Sequence, residues 1–294
     1  MGFMQTYIYK AHLRMICISF IIFHLAFSPA WALDPVKRYG QLQVKGSQLC
    51  DQKGQPVILH GMNLEWDTHW PRMYNKKFMK TIKREGQYPL LRLAMDVSED
   101  NGYLANPKHT MACLTSVIDA AIKQNIYVII NWHANSMHTQ EARQFFGKIA
   151  QRYGRYPHII YEIYNEPIEE TWTSIKKYAT EVISEIRHYD PDNIVLVGCP
   201  HWNQDIHLVT NSPLNGFNNV MYTVHFYAAT HGDDLRQRTE DAARQGIPIF
   251  ISECGAMEAS GEGPIDLESE ALWVAMCNRL GISFVKKFLT IHDL

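Results

Sequence analysis

Residues 158–166 read HIIYEIYNE. Two isoleucines lead, tyrosines and a glutamate follow, and the stretch stops on the polar pair Asn165-Glu166. A short apolar run that ends in polar side chains is the pattern of a buried strand with a chemically useful tip. Seven other runs share its character: VILHG (57–61), PLLRLAM (89–95), IYVIINW (126–132), NIVLVGC (193–199), VMYTVHFY (220–227), IPIFISE (247–253) and ISFV (282–285). The spacers have helical period, among them FMKTIKREG, MACLTSVIDAAIKQN, EARQFFGKIAQRYG, SIKKYATEVISEIRHY, DLRQRTEDAARQG and LESEALWVAMCNRLG. Several close on Gly or Asn, which tolerate the left-handed conformation at a helix C-terminus. Eight strands alternating with helices over roughly 250 residues predict an α/β chain folded as one (β/α)8 TIM barrel. A doubly wound open sheet is the alternative, but no G-x-G-x-x-G turn follows the first strand. Ahead of the barrel, QLQVKGSQLCDQKGQPVILHG (41–61) alternates around Lys-Gly turns and predicts a short N-terminal β-hairpin.

Composition narrows the partners. A net charge of −2, with 46% hydrophobic and 20% charged residues, describes a globular chain with no basic run, so nothing points to nucleic acid. Lys10 and Arg14 precede the apolar run MICISFIIFHLAF, which gives way to SPAWA, and Ala30-Trp31-Ala32 fits the small-x-small cleavage rule. The run is too short to span a bilayer, which needs about 20 residues. Residues 1–32 therefore read as a signal peptide, leaving a secreted barrel over 33–294, with no membrane contact after cleavage and no second domain. The cysteines after the signal, Cys50, Cys113, Cys199, Cys254 and Cys277, form no C-x-x-C pair, so structural zinc is not expected. One disulfide is possible on sequence grounds, without a way to choose it.

In a barrel of this kind, polar side chains at the C-terminal ends of strands build the active site. Those ends carry Arg92, Trp132-His133, Asn165-Glu166, His225-Phe226-Tyr227 and Glu253. Glu162 sits inside its apolar run and reads as a buried structural acid, whereas Glu169 and Glu170 fall near a helix start, where negative charge is favoured. Glu166 and Glu253 remain as a pair across one mouth. Glycoside hydrolysis needs two such carboxyls, one to protonate the leaving oxygen and one to attack the anomeric carbon or activate water. Either glutamate alone is weak evidence, since an unrelated barrel could use such an acid for metal binding or proton abstraction. His133, His138, Asp205 and His225 lack the H-E-x-x-H spacing of a helical metal site, so no metal is assigned.

GQPVILHGMN, LLRLAM, IINWH, IYEIYNEP, GCPHWNQD, TVHFYA and FISECGA, taken in order from about Gly40 to Ser283, resemble the successive strand motifs of glycoside hydrolase family 5, especially its secreted endo-β-1,4-glucanases. The resemblance implies a retaining, cofactor-free, monomeric enzyme acting on a β-1,4-glucan such as cellulose, with mannanase, xylanase or mixed β-glucanase activity as neighbouring choices. A non-catalytic carbohydrate-binding protein on the same scaffold is the reading from another class. It also implies that Glu166 is the acid/base and Glu253 the nucleophile. Asn165 would bond the 2-hydroxyl of the sugar at the cleaved bond, Arg92 and Tyr227 would hold Glu253, His225 would contact Glu166, and His133 would bind the same sugar. Trp202, Trp70 and Trp66 are the candidate sugar platforms, while Trp172 and Trp273 have the helical context of core residues.

Two features depart from the family. The first loop, MNLEWDTHW, lacks a histidine at the expected spacing. The tail GISFVKKFLTIHDL carries Lys286-Lys287 where the family continues into a segment with a sugar-stacking tryptophan, and it reads as stopping short of a final covering helix. The expectation is an exposed apolar seam beside strand 8, lower stability than in a full-length relative and impaired activity.

Overall fold

The computed structural model of the protein describes residues 34–85 and 88–287. Residues 1–33 and 288–294, which carry the expected signal peptide and the last half of the tail, lie outside the described residues. A short helix α1 (Pro35–Tyr39) leads into the hairpin β1 (Gln43–Lys45) and β2 (Gln48–Cys50), antiparallel with Gln43 opposite Cys50. Gly46, with φ 60°, makes the turn that the Lys-Gly pair predicts.

Eight parallel strands follow: β3 (His60–Leu64), β4 (Leu90–Asp96), β5 (Tyr127–His133), β6 (Ile159–Glu162), β7 (Ile194–Val197), β8 (Val220–Tyr227), β9 (Ile249–Gly255) and β10 (Phe284–Lys286). They close in sequence order, with β10 bonded to both β9 and β3, so the (β/α)8 barrel expected from the alternating runs is the fold. Helices α2 (Lys76–Glu85), α3 (Pro107–Gln124), α4 (Thr139–Tyr153), α5 (Trp172–Tyr189), α6 (Ile206–Thr210), α7 (Asp233–Arg244) and α8 (Leu267–Leu280) lie between the strands. None of the described helices is long and apolar enough to cross a membrane.

The first strand starts three residues later than VILHG suggests. Val57 N–H donates to Leu49 O at 2.8 Å and Leu59 N–H to Ser283 Oγ at 2.9 Å, so this segment is held by the hairpin and a side chain, and it joins the ladder only where Leu59 O accepts from Phe284 N–H at 3.0 Å. Its buried Val57 and Leu59 join Leu42 and Leu49 beneath the barrel. The last strand shifts likewise from ISFV to Phe284–Lys286. Gly61 is needed where the seam closes, because a Cβ there would stand 2.9 Å from Val285 and 3.0 Å from Leu90 O.

The barrel interior is filled in two levels. Leu90, Ile129, Ile160, Leu196, Met221, Phe250 and Val285 make an apolar floor continuous with the hairpin residues. Above them, on the same inward faces, come Asn63, Arg92, Asn131, Glu162 and Thr223, all buried. Outward faces such as Leu91, Val128, Ile130 and Val195 pack with Leu114, Val117, Phe145 and Ile183 of the helices. Trp172 and Trp273 are core residues as expected. The Trp273 ring lies parallel to Phe226 at 4.0 Å, and its Nε1 donates to His231 O at 2.9 Å. The five described cysteines are all free, and four of them are buried.

Trp273→Ala empties a fully buried site and orphans His231 O, so it should cost about 3–5 kcal/mol. Chemical denaturation measures this, and a loss under about 1 kcal/mol would show that α8 does not depend on the ring.

Candidate active site

A register change in β9 builds the site. Thr223 pairs with Phe250 and His225 with Glu253, so two steps along β8 match three along β9, and β10 shows the same surplus between Ile251 and Cys254. One extra residue in a strand is a β-bulge, and it turns consecutive side chains onto one face. Ser252 and Glu253 thus both meet partners inside the barrel, which strict alternation forbids.

Arg92 is at the centre. It occupies the third position of β4, well inside the barrel and not at the strand's end, and reaches upward from there. Its Nε and Nη2 grip Glu162 at 2.6 and 3.2 Å, Nη1 donates to Glu253 at 2.7 Å and to Asn63 at 3.0 Å, and Nη2 donates to Asn165 Oδ1 at 2.7 Å. A guanidinium offers only donors, so the Asn165 oxygen must face it and the amide NH₂ is left for the cleft. Burial alone would raise the Glu253 carboxyl, but Arg92 and then the His225 ring outweigh it and hold Glu253 well below the usual carboxylate range. Tyr227 OH donates to the other Glu253 oxygen. Burial, then the Glu253 charge, pushes the Tyr227 phenol far up, so it stays a donor. Glu162, buried and opposed by burial yet gripped by Arg92, is lowered to about 2.

Glu166 lies past the end of its strand. The β6 ladder stops at Glu162, and the chain then runs on through Asn165 N–H to Trp132 O at 3.0 Å. Glu166 stays partly open to solvent and meets His225 Nδ1 at 2.8 Å. Oxygens of Glu166 and Glu253 and a His225 nitrogen fall within 4.8 Å of one another. Three such groups could in principle hold a cation. Arg92 already places its charge on Glu253, which makes the cluster an acid–base arrangement rather than a metal cradle.

Glu166, Glu253, Asn165 and Tyr227 line a cavity of about 170 Å³ with Asn63, Glu65, Trp66, His133 and Lys287. A second cavity of about 390 Å³, lined by Trp202, Gln204 and His231, shares Glu166 and Tyr227 with it, so one cleft runs across both acids. His133 is lowered to about 3 by burial and by Arg92, so it is neutral, and its Nδ1–H donates to Asn131 Oδ1 at 2.8 Å. Its Nε2 is then an acceptor on a ring that lines the cleft.

The tryptophans divide. Trp66 is 36% exposed at the cleft with its ring against His133 at 4.8 Å, and Trp202 is 44% exposed on the other side. Trp70 lies partly buried on the hydrophobic core with Arg72 over its ring at 4.5 Å, and it lines neither cavity. Three consecutive residues, His201, Trp202 and Asn203, have φ of 53°, 52° and 61°, a conformation that non-glycine residues adopt at a cost of order 1–3 kcal/mol each. Asn203 holds them there: its side chain accepts from Cys199 N at 2.9 Å and donates to Asn165 O at 2.6 Å. Gly198 gives this loop room, since a Cβ would stand 2.7 Å from Asn203 Oδ1.

A profile described as Cellulase (glycosyl hydrolase family 5) matches residues 50–286. The chain belongs to glycosyl hydrolase family 5. Endoglucanase Z of Dickeya dadantii (strain 3937) is 39% identical over 264 residues, covering 87% of this chain and 60% of its own length. An endoglucanase of Clostridium saccharobutylicum is 39% identical over 255 residues, covering 83% and 56%. The family 5 chain thus spans less than two thirds of these curated relatives. The solved catalytic domain of Thermobifida fusca endoglucanase Cel5A matches with a TM-score of 0.82 at 33% identity, covering 86% of each chain, and a variant of that domain was solved with cellotetraose.

The structure of this family 5 barrel brings together Arg92, His133, Asn165, Glu166, His225, Tyr227 and Glu253, and it adds Asn63, Ser252 and Asn203 to them. Sequence periodicity could not find Ser252, because only the bulge turns it inward. Glu170 has a local role instead, accepting from Tyr164 OH at 2.7 Å and Ile168 N at 2.9 Å.

Glu162→Gln should cost about 3–5 kcal/mol by leaving buried Arg92 under-compensated. Glu162 is ionised more easily folded than unfolded, so the stability it adds is complete above pH 4.5 and drains away as pH falls toward about 2. Denaturation midpoints across that window should fall steeply in the parent and more shallowly in Glu162→Gln; parallel curves would show that Glu162 is not the titrating group.

Proposed function

We propose that this protein is a retaining endo-β-1,4-glucanase, with Glu166 as acid/base and Glu253 as nucleophile. One observation carries the reading: two carboxyls whose oxygens approach within 4.8 Å occupy opposite surroundings. Retaining enzymes place the pair about 5–5.5 Å apart, whereas inverting ones need about 6.5–9.5 Å to admit a water. Glu253, between Arg92 and Tyr227, is held ionised and aimed. Glu166 is open to the cleft and can carry a proton to the leaving oxygen.

In the first step Glu253 forms a bond to the anomeric carbon while the glycosidic bond breaks and Glu166 gives its proton to the departing oxygen. The Asn165 NH₂, left free by Arg92, would bond the 2-hydroxyl, and His133 Nε2 would accept from a hydroxyl of the same sugar. Once Glu253 is esterified its charge is gone, and the Glu166 carboxylate can take a proton from water that releases the sugar with net retention. Trp202 and Trp66 supply flat apolar faces on either side of the bond being cut, while Trp70 supports the first loop from below. The named activities of the relatives and the cellotetraose bound to a similar domain favour a β-1,4-glucan over mannan or xylan. The basic and apolar N-terminus with Ala30-Trp31-Ala32 supports secretion, which suits a polymeric substrate too large to enter a cell. The same reading takes the enzyme as a monomer without cofactor.

Purified protein should release reducing ends from carboxymethylcellulose faster than from mannan or xylan, with the β-anomer formed first by NMR. Glu166→Gln and Glu253→Gln should each lower kcat by about 10³-fold or more without loss of fold. Glucan binding with no new reducing ends would replace this reading with a carbohydrate-binding protein. With Glu253 replaced by glycine, added azide should yield the inverted glycosyl azide; recovery of only the retained anomer would move the nucleophile elsewhere.

A further inference from the structure

The bulge in β9 delivers two side chains to the barrel interior, and the mechanism above uses only the second. Ser252 is completely buried, with its Oγ 2.6 Å from Glu162 Oε1 and 2.9 Å from His225 Nε2. A hydroxyl has one proton. Glu162 is gripped by Arg92 through both oxygens and is therefore an ionised, accept-only group, so the Ser252 proton points at Glu162. The oxygen can then only accept from His225, which fixes a hydrogen on Nε2. The other ring nitrogen, Nδ1, faces Glu166 Oε1 at 2.8 Å. If that nitrogen were bare while Glu166 is a carboxylate, two acceptors would meet at hydrogen-bond distance. A protonated Glu166 could donate to a bare nitrogen, but in the carboxylate state that the reaction must pass through, the ring escapes only by keeping a second proton.

We propose that Ser252 is a positioning residue of the reaction: by accepting from Nε2–H and donating to Glu162, it keeps His225 as an imidazolium that presents Nδ1–H to Glu166. This rests on the glycosidase reading of Glu166. When Glu166 gives its proton to the leaving oxygen, a charge-assisted hydrogen bond is already waiting for the carboxylate that forms. The proton count balances, because water returns one proton to Glu166 in the second step and His225 ends as it began. The surroundings agree. Burial disfavours the imidazolium, but Glu162 and Glu166 on the β6 side and Glu253 on β9 outweigh it and raise His225 to about 9. His133 on β5 is neutral, and His231, beyond β8, is lowered by burial, so neither opposes the charge; Arg92 on β4, bonded to the Glu162 oxygen that His225 also approaches, does oppose it, but its charge is met by Glu162 and Glu253.

Without the Ser252 hydroxyl, the ring can shed its Nε2 proton and stay bonded to Glu166 through an uncharged Nδ1–H. Ser252→Ala should therefore lower the His225 titration, read by ¹⁵N NMR of the ring, by about one pH unit, and move the alkaline limb of kcat on glucan the same way. Ser252→Thr keeps the hydroxyl and should restore both. An aryl cellobioside whose leaving group needs no protonation should lose under about threefold in the glycosylation step, against about tenfold for glucan. An unmoved titration and alkaline limb in folded Ser252→Ala would overturn the proposal. Should that variant not fold, the parent decides: neutral His225 above its titration must carry its proton on Nε2, and a proton on Nδ1 alone would overturn the assignment. Parent enzyme that cleaves no glucan would sink the glycosidase reading, while the ring tautomer would still report on Ser252 by itself.

Discussion

A single buried guanidinium governs the site. Arg92 has no exposure to solvent, and its cost of burial is met by two carboxylates and two amide oxygens arranged around it. Its planar fork sets directions as well as charge. One edge is taken up by Glu162, and the remaining hydrogens reach Glu253, Asn63 and Asn165. A lysine would supply the charge, but its three donors could not meet four partners through the five hydrogen bonds that Arg92 makes. Glu162, which never meets the cleft, is needed because one carboxylate alone would leave Arg92 over-charged and would bind it too well to remain reactive.

The apolar level beneath makes this arrangement possible. Leu90, Ile129, Ile160 and Phe250 fill the barrel floor and the hairpin covers its base, so the charged level is cut off from water from below. Interactions there act in a low dielectric and keep their geometry without reorganising, which is what stabilising a developing charge requires. The strained turn at His201–Asn203 belongs to the same design. Asn203 bonds the carbonyl of Asn165, so the loop that carries Trp202 is tied to the residue next to Glu166; on the proposed reading, a sugar stacked on that ring would be registered against the acid.

Much of this was legible in the sequence for a simple physical reason. A strand buried on both faces must be apolar, so the polar residues in HIIYEIYNE, VMYTVHFY and IPIFISE stood out as exceptions that need partners. What stayed hidden depends on contacts between distant segments. The start of β3 depends on the hairpin and on Ser283, the depth of Arg92 on the length of its side chain, and the inward turn of Ser252 on a register change with two neighbouring strands. Trp70 and Trp66 are four residues apart in one loop, and nothing local distinguishes the ring that rests on the core from the ring that faces the cleft.

The far edge of the cleft shows how position and chemistry can separate. Where the family resemblance leads one to expect a stacking tryptophan, Lys287 donates its backbone N–H to Cys254 O at 2.7 Å, directly after Glu253. The backbone therefore keeps the approach that would present a side chain to the sugar. Its ammonium stands 5.9 Å from the Tyr227 ring, and its charge adds to that of Arg92 in favouring ionised Glu253. A cation gives that wall charge and hydrogen-bond donors in place of a flat apolar face. On the proposed glucanase reading, binding at this end would rest on polar contacts with sugar hydroxyls, with the stacking left to Trp66 and Trp202.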